Sequence, residues 1–170
     1  MNIDEHIRRI LKVISKIFSF LLLTLLIINK GHSMSISDIG RVCTFSSIKA
    51  KVTLNGQPAI GAKVTRLTDW KKPLEDTTVT DQNGYFEFPA LYERSIGQKV
   101  LPIQFAVSQV VTIDYQGNSY EIWVTTKMST EENSELDGIS LDLTCELSNE
   151  MKTYRVSGPI LGTICTWNKS

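Results

Sequence analysis

The sequence predicts an all-β domain, an antiparallel two-sheet β-sandwich, preceded by an N-terminal hydrophobic signal or anchor helix. From Ile48 onward, apolar alternations of period two are broken at short intervals by turn residues, with no long helical period. Each alternation has one apolar face. Roughly seven to nine such strands in about 125 residues bury those faces most simply against one another, as two packed sheets. The first 33 residues differ in kind from the rest.

In that segment Arg8, Arg9, Lys12 and Lys16 precede Ile17–Ile28, an uncharged apolar run of 12 residues. A basic region followed by so short an apolar run reads as an export signal, short of the roughly 20 residues that span a bilayer comfortably. Gly31 and Ser33 place small residues for cleavage before Met34. The competing reading is an uncleaved inner-membrane anchor through residues 8–29, with Lys16 reaching back to the interface. The expected organisation is residues 1–33 as signal or anchor, 34–47 as linker or entry strand, and 48–170 as the sandwich. The expected location is the periplasm, free or tethered to the inner membrane.

The strands follow in order. Ile48, Ala50, Val52 and Leu54 alternate, Asn55–Pro58 turns the chain, and Ile60, Ala62 and Val64 continue the alternation. Thr77–Thr80 and Tyr85–Phe88 flank Asp81-Gln82-Asn83-Gly84. A four-residue turn there pairs Val79 with Phe86 and Thr77 with Phe88, leaving Asp81 free to bond turn amides. Tyr92–Gln104 reads as an irregular link. Phe105, Val107, Val111, Ile113 and Tyr115 then share one face of a long strand. A two-residue turn at Gly117-Asn118 pairs Tyr115 with Tyr120, Ile113 with Ile122 and Val111 with Val124. Ile139–Leu147 alternates again, and Tyr154–Val156 and Ile160–Trp167 close the chain.

Without residues 1–33, 13 basic and 16 acidic side chains remain, a net charge of −3. That balance gives no basic face for a nucleic acid. Both histidines, His6 and His32, fall in the leader, so no Ser-His, Cys-His or histidine–metal chemistry is expected beyond it. Cys43, Cys145 and Cys165 lie on the exported side, where thiols oxidise. Three cysteines allow three pairings. The expected disulfide is Cys145–Cys165, which staples the C-terminal strands. With no CxxC spacing, no metal site is expected.

One stretch resembles a known family. Val52-x-Leu54-Asn55-Gly56-Gln57-Pro58-x-x-Gly61-Ala62-x-Val64, followed by Thr78-Val79-Thr80-Asp81-x-Asn83-Gly84-x-Phe86-x-Phe88, resembles the carboxypeptidase regulatory-like domain. The resemblance covers Ile48 to Leu91. It implies a transthyretin-like (prealbumin-like) seven-stranded sandwich and a non-catalytic module that mediates contacts. Tyr154-Arg155-Val156-Ser157 is superficially similar to the C-terminal signature of the hydroxyisourate hydrolases that share this fold. Val156 departs from it, and the histidines of that reaction have no counterpart.

Other chemistry finds little support. An isopeptide bond needs a buried lysine, and Lys49, Lys51 and Lys63 alternate outward. Glu131, Glu132, Glu135 and Asp137 could offer oxygen to calcium but lack the spacing of an EF-hand, and read as a solvated acidic loop. No cofactor is expected. The register set by Gly117-Asn118 places Asp114 opposite Glu121, a costly like-charge pair, and Trp123 outward opposite Thr112. Thr112, Asp114, Glu121 and Trp123 are therefore the expected contact surface for another protein. The expected function is a non-enzymatic protein-binding module of the bacterial envelope, in its sharpest form an immunity protein that blocks a toxic effector. The alternatives are an accessory subunit of an envelope or secretion assembly, joined by edge-strand pairing, or a ligand-binding or hydrolytic domain.

Overall fold

The computed structural model describes residues 40–95, 104–156 and 158–168. The expected signal or anchor over residues 1–33, its expected cleavage point and residues 34–39 lie outside the described residues. The described residues are all-β, with no α-helix among them. Two large sheets pack in a sandwich-like arrangement, with a two-stranded ribbon beside them.

The smaller of the two is organised on β2 (Ile48–Leu54). β10 (Leu141–Glu146) runs parallel to it, Leu141 opposite Ile48 and Cys145 opposite Val52. β6 (Tyr85–Phe88) and the short β3 (Gln57–Pro58) share the other edge of β2, and β13 (Cys165–Trp167) lies antiparallel to β10. The larger sheet has the order β11 (Lys152–Arg155), β12 (Ile160–Thr163), β9 (Asn118–Lys127), β8 (Val107–Tyr115), β4 (Lys63–Asp69), β5 (Pro73–Val79). The ribbon pairs β1 (Arg41–Phe45) with β7 (Leu91–Arg94). Ile48, Ala50, Val52, Phe86 and Leu143 of one sheet meet Val64, Val111, Ile113, Ile122 and Leu161 of the other in a single core. The parallel β2–β10 pair departs from the antiparallel expectation. It is possible because the chain between them builds most of the other sheet, serving as the crossover that parallel strands require.

The Asp81–Gly84 turn forms as expected, but its flanks do not form a hairpin. Gly84 N–H donates to Asp81 O (3.1 Å), and Asp81 Oδ1 accepts the Asn83 and Tyr85 amides, both at 2.8 Å. β5 then pairs with β4, Thr77 opposite Thr65, whereas β6 pairs with β2, Phe86 opposite Ala50. The turn is a corner between sheets, so the expected Val79–Phe86 and Thr77–Phe88 pairs are absent. Val79 is 62 % exposed and Thr80 is buried. The Thr80 hydroxyl makes the corner tenable by donating to Ala59 O and accepting from Ala62 N–H. Gly84, at φ +79°, is obligatory there, because a Cβ would collide with the Val52 carbonyl oxygen.

The β8–β9 hairpin turns one residue earlier than expected. Gln116 and Gly117 both take positive φ (51° and 79°), the pattern of a type I′ turn, with Tyr115 opposite Asn118. Ile113 then faces Tyr120 rather than Ile122. A bulge follows, since Thr112 faces Glu121 whereas Val111 faces Trp123, leaving Ile122 as the extra residue. The bulge puts Ile122 and Trp123 both inward and Val124 outward, inverting the expected face of the distal half of β9.

Two further elements differ. The segment expected to be a linker or entry strand holds a strand, β1, and the expected irregular link begins with most of β7, which pairs with it. The expected closing strand Ile160–Trp167 breaks at buried Ile164, so that β12 joins the larger sheet and β13 the smaller. The Cys145–Cys165 disulfide is present, joining register partners across β10 and β13, while Cys43 is free and buried. It closes a short loop and fixes a three-residue strand to the sheet. Its removal by Cys145→Ala/Cys165→Ala is expected to cost about 2–4 kcal/mol, measured as a lower urea midpoint than the oxidised protein shows.

Candidate functional site

The expected contact surface does not assemble. Trp123 is 0 % exposed and belongs to the core, because the β9 bulge turns it inward, and its indole N–H has no acceptor among the described residues. Asp114 and Glu121 are exposed but not opposite each other. Asp114 lies between Lys63 and Ser119, whose hydroxyl donates to it at 2.7 Å, and Glu121 faces Thr112. The directly opposed like-charge pair that argued for a partner is therefore absent, and Thr112, Asp114 and Glu121 share the outer face of the hairpin without the tryptophan.

What the sequence did not reveal is a buried polar centre beneath the acidic loop. The bulge brings Lys127 inward at the end of β9, where its side chain and that of Glu135 are both fully buried, with Nζ 2.7 Å from Oε2. Lys127 Nζ also donates to Glu131 O (2.7 Å) and Ser134 Oγ (2.6 Å). Glu135 accepts from Ser46 N–H (3.0 Å), Ser46 Oγ (2.6 Å) and Gln109 Nε2 (3.0 Å), and Gln109 Nε2 also donates to Thr44 O (2.8 Å). Burial pushes the Glu135 carboxyl upward. Lys127 and the hydrogen bonds from Lys127, Ser46 and Gln109 outweigh it and hold the group below the usual carboxylate range. Asn133 N–H donates to Ser46 Oγ at 2.7 Å, so one hydroxyl ties the ribbon's exit to the loop.

This network fixes the backbone of residues 127–138 from below. Asn133 and Asp137 both adopt left-handed φ (62° and 56°) around the single 3-10 turn Ser134–Leu136. Glu135 is thus a structural anion and not part of a solvated acidic cluster. Among the described residues no group of three His, Cys, Asp or Glu side chains is placed to hold a metal ion.

Above the network the loop opens into a cavity of about 460 Å³, lined among others by Met128, Glu131, Glu132, Asp137 and Pro159. Glu132 accepts from the Tyr92 hydroxyl at 2.6 Å, and that bond, with burial, pushes the phenol up to about 12. A second cavity of about 280 Å³ shares Asp137 and is lined by Ile139, Tyr154, Arg155 and Trp167. Tyr154 and Trp167 meet edge to face at 5.2 Å. The two cavities place carboxylates on one side of Asp137 and an aromatic, largely apolar hollow on the other. Cys43, beside Ser46, has its thiol pushed up by burial and is no nucleophile there.

A second buried charge pins the sheets elsewhere. Arg66 points inward from β4, forks onto Asp76 of β5 (Nε–Oδ1 3.0 Å, Nη2–Oδ2 2.6 Å) and donates to Pro89 O at 2.7 Å. Its guanidinium lies over Phe88 and Phe45, 4.5 and 5.2 Å from the ring centroids. It is consumed in packing.

An all-β module with internally satisfied buried charges and open carboxylates on one fixed loop is the class that fold and site define. Residues 48–150 match the family described as a domain of unknown function (DUF6795), and the chain belongs to that family. No curated protein and no solved structure matches.

Proposed function

We propose that this chain is a non-enzymatic, exported protein-binding module of the bacterial envelope, built on a transthyretin-like, carboxypeptidase regulatory-like sandwich. Its acidic loop receives a basic segment of the partner protein. The observation that carries this reading is the contrast between the two sets of carboxylates around one loop. Glu135 below is fully engaged with Lys127, whereas exposed Glu131 and Asp137, with Glu132 held beside them by Tyr92, line an open cavity whose backbone that engagement holds in place. Met128, 42 % exposed, offers adaptable apolar contact at the same rim. A Lys or Arg entering the first cavity, followed by an apolar side chain in the second, fits both hollows. An immunity protein that blocks a toxic effector in the same compartment is the sharpest form of this proposal. The absence of histidine beyond residue 33 supports a non-enzymatic role.

Edge-strand assembly into a larger complex is the second reading, and the two edges of the larger sheet disfavour it. β5 begins with Pro73, carries exposed Glu75 and commits Asp76 to Arg66. β11 begins with Lys152 and ends with Arg155, both exposed. Such charges and a proline discourage strand addition.

A photo-crosslinking residue at Met128, in the native envelope, is expected to capture one protein, and the same residue at Thr65, on the outer face of the larger sheet, none. Equal capture from both positions, or none from Met128, would count against the loop.

A further inference from the structure

The second hollow is walled by the outermost strands of the two large sheets. Tyr154 comes from β11, at the edge of the larger sheet, and Trp167 from β13, at the edge of the smaller. Their edge-to-face contact joins the two walls. β13 has three residues and one neighbour in its sheet, β10, where Trp167 pairs with Leu143 and Cys165 with Cys145. So short an edge strand is among the elements that open locally at low cost. The Cys145–Cys165 disulfide counters that, tying β13 to β10 two residues before Trp167 and so on the same face of the strand. Two unbonded thiols need more room than a bonded pair, and both cysteines are buried in the core. Reduction therefore crowds this position and favours release of β13. The acidic loop is held by different means. Lys127, Glu135, Ser46 and Gln109 fix it with no contribution from Cys145 or Cys165.

We infer that the Cys145–Cys165 couple is a redox gate on the apolar half of the binding site. Oxidised, the chain presents both hollows. Reduced, it keeps the carboxylates of the loop and loses the Trp167 wall. This role rests on the reading of the loop as a protein-binding site, and adds the condition under which that site is complete. Oxidation proceeds by thiol–disulfide exchange with an external disulfide. One cysteine thiolate attacks it, and the other then displaces the mixed disulfide. Two electrons pass from the cysteine sulfurs to the external pair, and the two cysteine protons end on the two thiols released. The partner is therefore held in full only where thiols oxidise.

The test compares the full chain refolded with oxidised glutathione and in a reducing buffer. Hydrogen exchange at residues 165–167 is expected to be at least about tenfold faster in the reduced chain, with residues 127–138 unchanged. Calorimetry with the protein captured at Met128 is expected to show affinity at least about fivefold weaker on reduction, with the residual binding still falling as salt is raised. Reoxidation with glutathione should restore it. Trp167→Ala, with the disulfide intact, should lose the same affinity and be indifferent to reduction, because the gate acts through that side chain. Equal exchange at 165–167 in both states would overturn the inference. Faster exchange spread evenly over the whole domain would do the same, as would a Trp167→Ala chain whose affinity still responds to reduction. The two readings fail separately. Capture at Met128 with unchanged exchange keeps the loop and removes the gate, whereas loosening confined to 165–167 with no capture keeps the gate on the hollow and removes the loop's partner.

Discussion

Glu135→Ala is expected to destabilise the domain by about 3–5 kcal/mol, because it leaves the Lys127 ammonium buried without its counter-charge. The hydrogen bonds lost from Ser46 and Gln109 add to the same deficit. Lys127→Met/Glu135→Leu, which removes both charges and refills the space, is expected to cost much less than either single loss. The comparison of three urea midpoints decides it. Equal cost for the single and double variants would mean that volume and not charge matters there. Acid gives an independent check. The folded Glu135 carboxyl lies below its ordinary value, so its contribution is present above the ordinary carboxylate range and is lost as pH falls through the folded value. Glu146 acts in the same direction. Burial opposes ionisation, but bonds from Ser148, Gly56 and Thr53 bring it to about 2. Stability is therefore expected to fall as pH drops below about 4.5, and less steeply in Glu135→Ala.

Trp123→Ala is expected to cost about 3–5 kcal/mol, since it empties the largest fully buried side-chain site in the core. Trp123 touches no solvent, so loss of binding in this variant would follow loss of fold. Thermal melts should show the shift directly. A variant as stable as the parent would mean that Trp123 lies outside the core and that the β9 bulge is misplaced.

The strands were legible because alternation is a strong signal, and the turn at Asp81–Gly84 because Asp, Asn and Gly are placed by turn chemistry. Pairing was less legible. Nothing in Thr77–Phe88 says that a well-formed turn joins different sheets, since β5 and β6 each find better partners in β4 and β2. The β9 bulge was invisible because one extra residue inverts every later side chain, and this one error moved Trp123 from the surface to the core and hid Lys127. Two signals could have found the buried centres. Gln109 occupies an inward position between Val107 and Val111, and Arg66 follows Val64 on the inner face of β4. A polar residue at an apolar position demands a partner. Which partner it finds depends on loops far away in sequence, as Ser46 and Glu135 show.

Affinity for the protein captured at Met128 tests the central claim most directly, measured by calorimetry for the parent and for Glu131→Lys/Asp137→Asn, in which asparagine keeps the left-handed backbone of residue 137. Both side chains are exposed, so the fold should hold, with an unchanged melting temperature. The account predicts a loss of affinity of at least about tenfold, near 1.4 kcal/mol, that shrinks as salt is raised. Undiminished affinity in a folded variant would contradict it.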